Sequence, residues 1–283
     1  MSAQRELQCF KWTGSKWLLA NDINPLIPGN CENYIEPFLG GGALLLSNTG
    51  SFKKITGSDL YTPLINLWTA LRDKPKEVIE RYDVLWRKLR QEVLQIDFNK
   101  DKGKSYPRIF YKCRVEFNNT KDPLLLLFLT KTCLNGMIRF SKSGNFNNSF
   151  HHGRLGQKPD TFKKCVMRVT EVIKDVHFLS GDALEVVQNV SGNDFVFLDP
   201  PYSSSTNRYI ENYSLEKLEI LLEHLNSKGA KWICTYDSIN NVRLHPSLFR
   251  HRLTSGSYQS RIRRTGGQGA QSISEAIYMN YQS

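Results

Sequence analysis

The sequence predicts an α/β fold: an open sheet built from alternating strands and helices, interrupted by a mostly helical insertion and closed by an antiparallel C-terminal hairpin. Three observations predict it. A strand, a glycine turn and a helix follow one another near the start of the chain. The same alternation resumes after about residue 171. Between the two, the apolar period becomes helical and the charge balance changes.

The elements follow in order. A short helix is expected near Ser15–Ile23 and a strand at Asn33–Glu36. Pro37-Phe38-Leu39-Gly40-Gly41-Gly42 then turns into the apolar Ala43-Leu44-Leu45-Leu46, and a second strand at Lys54–Ser58 ends at Asp59. A helix is expected over Pro63–Ala70. Val78, Ile79, Tyr82, Leu85, Trp86, Leu89 and Val93 recur at helical spacing with basic residues between them, so Glu77–Leu94 is a helix. Phe110–Phe117 and Pro123–Thr130 are further helices. Residues 135–160, rich in Asn, Ser, Gly and His, form an exposed loop or hairpin. Helix Thr161–Lys174, strand His177–Ser180, short helix Ala183–Val187, strand Phe195–Leu198, helix Ser214–Ser227 and strand Trp232–Thr235 restore the alternation. Arg250–Tyr258 and Glu275–Tyr281 suit two paired strands joined through the glycine-rich Thr265–Ala270. One sheet domain over 1–70 and 171–283, split by an insert over 71–170, is the organisation expected.

The net charge of +11 is localised. Residues 72–171 contain 22 Lys/Arg against 11 Asp/Glu, while the rest of the chain holds 16 of each. Positive charge gathered in one segment is the footprint of a phosphate-binding face; a merely soluble basic domain is the alternative. The aromatic content supports a core and excludes disorder. No apolar run approaches a membrane span. The N-terminus has no apolar signal region, so a cytoplasmic protein is expected. Six cysteines without a CxxC pair suit free thiols, and the adjacent His151 and His152 lack companions at ligand spacing, so no metal is expected.

Two constellations carry chemistry. Asp199-Pro200-Pro201-Tyr202 ends the apolar run Phe195–Leu198. A carboxylate and a carbonyl fixed by proline can accept both hydrogens of an exocyclic amine, and Tyr202 can stack on the flat ring that bears it. A strand ending at a Pro-Pro turn is the bland alternative. Gly40-Gly41-Gly42 lets the backbone approach a ligand closely, and Asp59, at the end of the next strand, suits ribose hydroxyls. The pattern is not GxGxxG, which argues for an adenosine-type ligand without a pyrophosphate. Asp182, after the strand ending at Ser180, can accept from an adenine amino group or simply cap a helix. Trp12 is an indole or a core residue, and Lys16 an ammonium near the ligand or at the surface.

Together these residues resemble the DNA adenine-N6 methyltransferases of the Dam-like, α-ordered group. The matching motifs are KWTGSK (11–16), EPFLGGG (36–42), Asp59, a basic insert and DPPY (199–202). Within the insert, Leu134-Asn135-Gly136-Met137-Ile138-Arg139-Phe140 resembles the family's NG-x-x-R segment and Gly144-Asn145-Phe146-Asn147 its G-x-FN segment. Ser274–Tyr281 is similar to its last strand. The likeness covers nearly the whole chain. It departs at Asn148-Ser149, where many relatives have Val-Pro, which leaves the target sequence open.

The resemblance implies a Rossmann-like S-adenosylmethionine-dependent methyltransferase sheet with an inserted, mostly helical DNA-recognition domain. It implies that Trp12, Lys16, Phe38, Gly40, Gly42, Asp59 and Asp182 line the S-adenosylmethionine pocket, with Asp199 between cofactor and target. Asp199, Pro200, Pro201 and Tyr202 would be the catalytic group, and Asn135, Arg139 and Asn147 would touch DNA. Arg139 suits guanine readout or a phosphate contact, and Arg261, Arg263 and Arg264 suit either a second phosphate contact or a solvated turn. The expected activity is methyl transfer to the N6 amino group of a flipped adenine in duplex DNA, leaving S-adenosylhomocysteine, by a monomer that needs no metal. A cognate restriction endonuclease is a further partner the family allows. Cytosine-N4 methylation, methylation of RNA or a protein glutamine, and a non-catalytic DNA-binding relative stay open beside it. Cytosine C5 chemistry is disfavoured because no Cys follows a Pro.

Overall fold

A computed structural model of the chain describes residues 6–97, 100, 106–141, 143–201, 213–237, 244–254, 258–259, 272–273 and 275–282. The chain divides into two compact units.

The first is the sheet unit, made of Lys16–Leu60, Val176–Thr206 and Glu211–Ser283. Its strands are β1 (Asn33–Glu36), β2 (Lys54–Asp59), β3 (Val176–Ser180), β4 (Asp194–Leu198), β5 (Lys231–Asp237), β6 (His251–Thr254) and β9 (Glu275–Met279), in the order β3-β2-β1-β4-β5-β9-β6. β1 to β5 are parallel, and β9 runs antiparallel between β5 and β6. The short strands β7 (Tyr258–Gln259) and β8 (Ser272–Ile273) form a separate antiparallel ladder. The expected closing hairpin is therefore two ladders, with β9 inserted against β5. β4 is buried along its whole length, as a central parallel strand must be. Helix Leu215–Ser227 sets Leu218, Leu221, Leu222 and Leu225 on Val196, Leu198, Trp232, Cys234, Tyr236, Ala276 and Tyr278. Those leucines recur at the helical spacing that puts them on one face. Ser214 caps the helix by accepting from the Lys217 N–H at 3.2 Å. The helix expected at Ser15–Ile23 shortens to Ala20–Ile23, with a 3-10 turn at Asn24–Leu26. Pro25 stands just inside that turn and lacks the N–H an α-helix would need.

The second is a helical unit containing residues up to Ser15 and Tyr61–Asp175. Its helices are Thr62–Asp73, Pro75–Gln95, Arg108–Thr120, Pro123–Thr132 and Pro159–Ile173. Three begin on Pro, whose missing N–H has no partner to lose there. Pro123–Thr132 is buried from Leu125 onward and packs on the first three. Asp122 caps it through Leu124 N at 2.8 Å.

The two compact units meet along the chain at 15/16, 60/61 and 175/176. Residues 6–15 and the helix starting at Thr62 belong to the helical unit. Phe10 packs on Trp68 with ring centroids 5.0 Å apart, the Cys9 and Cys165 sulfurs approach to 3.2 Å, and Lys131 donates to the Cys9 carbonyl. These contacts pair residues far apart in sequence, so composition along the chain does not report them.

The segment expected to be an exposed loop or hairpin is a hairpin with one face buried. Isolated bridges join Cys133 to Phe150 and Phe140 to Phe146. Burial alternates: Ile138, Phe140, Phe146, Asn148 and Phe150 face in, while Arg139, Asn145, Asn147 and Ser149 face out. That is the period of a strand pair. The Asn118 side chain accepts from Phe146 N and donates to Phe146 O, fastening the hairpin to helix Arg108–Thr120. No helix among the described residues is long and apolar enough to cross a membrane, and no cluster of His, Cys, Asp and Glu among them could hold a metal. Phe146→Ala should cost about 3–5 kcal/mol of stability, read as a lower urea midpoint at unchanged slope. A loss below about 1 kcal/mol would mean that the buried aromatic face does not anchor the hairpin.

Candidate active site at the switch point of the sheet

β1 continues to β2 and β3 on one side, while β4 continues to β5 on the other. Strand order therefore reverses between β1 and β4, and the crevice at their carboxyl ends is where such sheets bind ligands. The pairing of Asn33 with Asp194 and of Ile35 with Val196 makes the two strands end level. Pro37–Gly42 and Asp199–Pro201 thus leave the sheet side by side.

Gly40 and Gly42 both have positive φ, 48° and 60°, a conformation that favours glycine. Leu39 N donates to Ser58 O at 2.8 Å and Gly42 N to Leu39 O at 2.7 Å. Asp59 accepts from Gly40 N through Oδ2 at 3.0 Å. The strand-end carboxylate therefore shapes the glycine turn. Gly57 makes room for it: a Cβ there would lie 2.9 Å from Leu45 Cδ1 and 3.0 Å from Leu39 Cδ2.

Asp199 stands at the end of β4 with 17 % of its side chain exposed. Lys16 Nζ lies 2.8 Å from Asp199 Oδ1, and Thr235 Oγ1 donates to the same oxygen at 2.9 Å. Among the described residues, Oδ2 receives neither donor. Lys16 Nζ also lies 3.2 Å from Glu275 Oε2, and both side chains are buried. Burial raises the Asp199 carboxyl to about 6, with Lys16 pulling it down and Glu275 pushing it up. Glu36, at the end of β1, is more strongly affected. Burial carries it to about 8 against the hydrogen bond from Tyr34, and the charges of Asp199 and Asp59 add to the rise. Tyr34 OH donates to Glu36 Oε2 at 2.7 Å. At neutral pH Glu36 is therefore mostly neutral and Asp199 mostly ionised. Pro200 is buried behind Asp199 and Pro201 is half-buried, while Tyr202 lies outside the described residues.

Phe38 meets Tyr213 edge to face, with centroids 5.0 Å apart. Burial, helped by the Asp182 charge, pushes the Tyr213 phenol up to about 12. Asp182 caps helix Ala183–Val186, with Oδ1 accepting from Leu184 N at 2.9 Å. The sheet unit thus brings together Lys16, Phe38, Gly40, Gly42, Asp59, Asp182, Asp199 and Pro200.

Trp12, Asn135, Arg139 and Asn147 belong to the helical unit. Trp12 packs on Phe10 and Tyr61, with centroids 6.3 and 6.1 Å away. Asn135 and Gly136 both have positive φ, 58° and 64°, and a Cβ on Gly136 would come within 2.2 Å of Lys11 Cδ. Ile138 N donates to Thr13 Oγ1 at 3.0 Å, so the 11–13 segment is fastened to the Asn-Gly turn. Arg139 and Asn147 are neighbours across the hairpin, where Asn147 N donates to Arg139 O at 3.0 Å, and both side chains are exposed. Asn148 points inward. Its amide donates to Leu134 O at 3.0 Å and to Met137 O at 2.7 Å, and it accepts from Ser149 N at 2.8 Å. This polar residue is fully satisfied and holds the turn that presents Asn135. Arg261, Arg263 and Arg264 lie outside the described residues.

Residues 12–262 match the family of D12 class N6 adenine-specific DNA methyltransferases. The chain belongs to that family. The methyltransferase is 34% identical over 207 residues to the type II methyltransferase M.MjaIII of Methanocaldococcus jannaschii, covering 68% of each protein. It is 27% identical over 260 residues to the DNA N-6-adenine-methyltransferase of Escherichia phage P1, covering 88% of this chain and 32% of the phage protein. Its identity to the DNA adenine methylase of Serratia marcescens is 27% over 198 residues, 68% of this chain and 66% of that protein. The enzyme transfers a methyl group from S-adenosylmethionine to the N6 amino group of adenine in DNA, and the family match decides against cytosine N4.

Three residues of the methyltransferase's site escape motif reading. Thr235 and Glu275 reach Asp199 and Lys16 only through the β4-β5-β9 pairing, and Tyr213 reaches Phe38 from the start of a helix. Glu275 did leave a signal: a carboxylate within the otherwise apolar run Glu275–Met279 needs a buried partner. Glu36 supplies a stability test. Its carboxyl is raised in the folded state, so its contribution is complete below the unfolded value near 4.5 and lost as pH rises through about 8. Glu36→Gln should therefore unfold at a higher temperature than the wild type at pH 9 and lose the advantage at pH 5. Parallel curves of Tm against pH would show that Glu36 is not held neutral.

Proposed function

We propose that the methyltransferase acts on a flipped adenine by holding its amino group between Asp199 Oδ2 and the Pro200 carbonyl. The observation that carries this reading is the asymmetry of Asp199. Oδ1 is engaged by Lys16 and Thr235, so the carboxylate is oriented and its other oxygen is left to accept an N–H. Two acceptors on one amine draw the nitrogen away from conjugation with the ring and expose its lone pair. Positioning and preset charge then contribute much of the rate. Tyr202 is assigned to stacking on the everted base.

S-adenosylmethionine supplies the electrophilic methyl group. The residues present suit it. Gly40 and Gly42 form a backbone cradle without side chains, Asp59 stands beside it for ribose hydroxyls, and the Phe38–Tyr213 pair with Asp182 suits an adenine ring and its amino group. Lys16 completes the proposed set through Asp199. The sheet unit is the catalytic domain and the helical unit the DNA-recognition domain. Asn135, Arg139 and Asn147 would face duplex DNA, supported by their exposure and by the positive charge of residues 72–171. A monomer working in the cytoplasm is the proposed form. The relatives named type II methyltransferases favour a cognate restriction endonuclease.

Asp199→Asn is the sharpest variant. Lys16 and Thr235 would keep the amide oxygen, so the NH2 would point at the adenine amine, donor against donor. Transfer of labelled methyl to duplex DNA should fall by on the order of 10²–10³-fold or more, with DNA binding retained. Turnover within about tenfold of wild type would contradict the role. In the wild type, transfer should also decline as pH falls through about 6, because protonated Asp199 no longer offers a full acceptor. A rate independent of pH between 5 and 8 would argue against it.

A further inference from the structure

We propose that Glu275 is a positioning residue for methyl transfer: it anchors the Lys16 ammonium so that Lys16 holds Asp199 by Oδ1 and leaves Oδ2 open. The inference rests on the reading of Asp199 as the amine's acceptor.

The geometry is that of a buried triad. Lys16 Nζ lies 2.8 Å from Asp199 and 3.2 Å from Glu275, with 7% of the lysine and 6% of the Glu275 side chain exposed. A flexible four-carbon stem fixes no position by itself, and one carboxylate leaves the ammonium free to swing between its two oxygens. The second anchor removes that freedom. Strand pairing supplies it: Thr235 pairs with Ile277 and Asp237 with Glu275, while Ala276 and Tyr278 go to the opposite, core face under helix Leu215–Ser227. Glu275 therefore shares a face of β9 with Ile277, and Thr235 lies on the strand alongside.

The anchor also has an electrostatic consequence. The groups around Asp199 are Lys16, Glu275 on β9, Thr235 and Cys234 on β5, and Glu36 at the end of β1. Burial raises Asp199 most, Lys16 opposes this, and Glu275 adds to the rise. Cys234 is pushed well up by burial and stays a thiol, and Glu36 is mostly neutral at neutral pH. Glu275 is thus a like charge that shares the ammonium with Asp199. Removing it lowers the Asp199 carboxyl by two routes of the same sign: a repulsion is lost, and Glu275 no longer shares the Lys16 ammonium with Asp199.

The test is the pH profile of single-turnover methyl transfer to duplex DNA with saturating S-adenosylmethionine, for wild type, Glu275→Gln and Glu275→Asp. For Glu275→Gln, the acid limb should move down by about one pH unit and the plateau rate should fall several-fold. In separate steady-state titrations, KM for DNA and for S-adenosylmethionine should stay unchanged, since Glu275 is assigned a contact with neither. Glu275→Asp should shift less, in the same direction, and keeps the test open if the glutamine variant does not fold. A plateau loss with an unmoved limb, or a limb moved upward, overturns the role of Glu275. If the wild type itself shows no acid limb, the acceptor role of Asp199 fails instead, which separates the two outcomes.

Discussion

A single buried lysine between two carboxylates organises this active site. Charges removed from water are costly unless paired and hydrogen-bonded. Lys16 meets that condition with Asp199 and Glu275, and Thr235 adds a donor to Asp199. The arrangement draws on four separated parts of the chain: the approach to the first helix, the end of β4, β5 and the start of β9. Only the folded sheet brings them together. Its value lies less in stability than in direction, because an ion pair that occupies one oxygen of a carboxylate defines what the other can do.

The sheet supplies the rest by topology. Reversal of strand order between β1 and β4 opens a crevice, and the level ends of those strands set the glycine turn beside the Asp-Pro-Pro corner. Glu36, Asp59 and Asp199 stand at or just beyond the carboxyl ends of β1, β2 and β4. Burial then divides the acids: Glu36 is driven neutral, while Asp199, beside an ammonium, keeps its charge near neutral pH. Two carboxyl groups near one another thus hold different protonation states, the pattern by which environment assigns chemical roles.

Much of this was legible in the chain. β4 announced itself as an apolar run closed by Asp-Pro-Pro, and β1, β2 and β4 fall within a residue of their expected ends. Phe38, Gly40, Gly42, Asp59 and Asp199 were readable because each follows a strand directly, so local order fixes its place. Glu275 and Thr235 were not, since their roles depend on β9 inserting antiparallel beside β5, a long-range pairing with no local mark. The hairpin was anticipated over residues 135–160, but its burial was not, for another reason. Its many Asn, Ser and Gly residues suggested exposure, while Phe140, Phe146 and Phe150 alternate through it and bury one face. Residues 6–15 fall in the helical unit, where Cys9 and Phe10 contact Cys165 and Trp68, far away in sequence.

The most direct measurement is a crystal structure of the methyltransferase with S-adenosylhomocysteine and a duplex carrying its target adenine. The account predicts the adenine N6 within hydrogen-bonding distance of Asp199 Oδ2 and the Pro200 carbonyl, with Lys16 and Thr235 still on Oδ1. An adenine amine bound to Oδ1, with Lys16 displaced from it, would contradict the account.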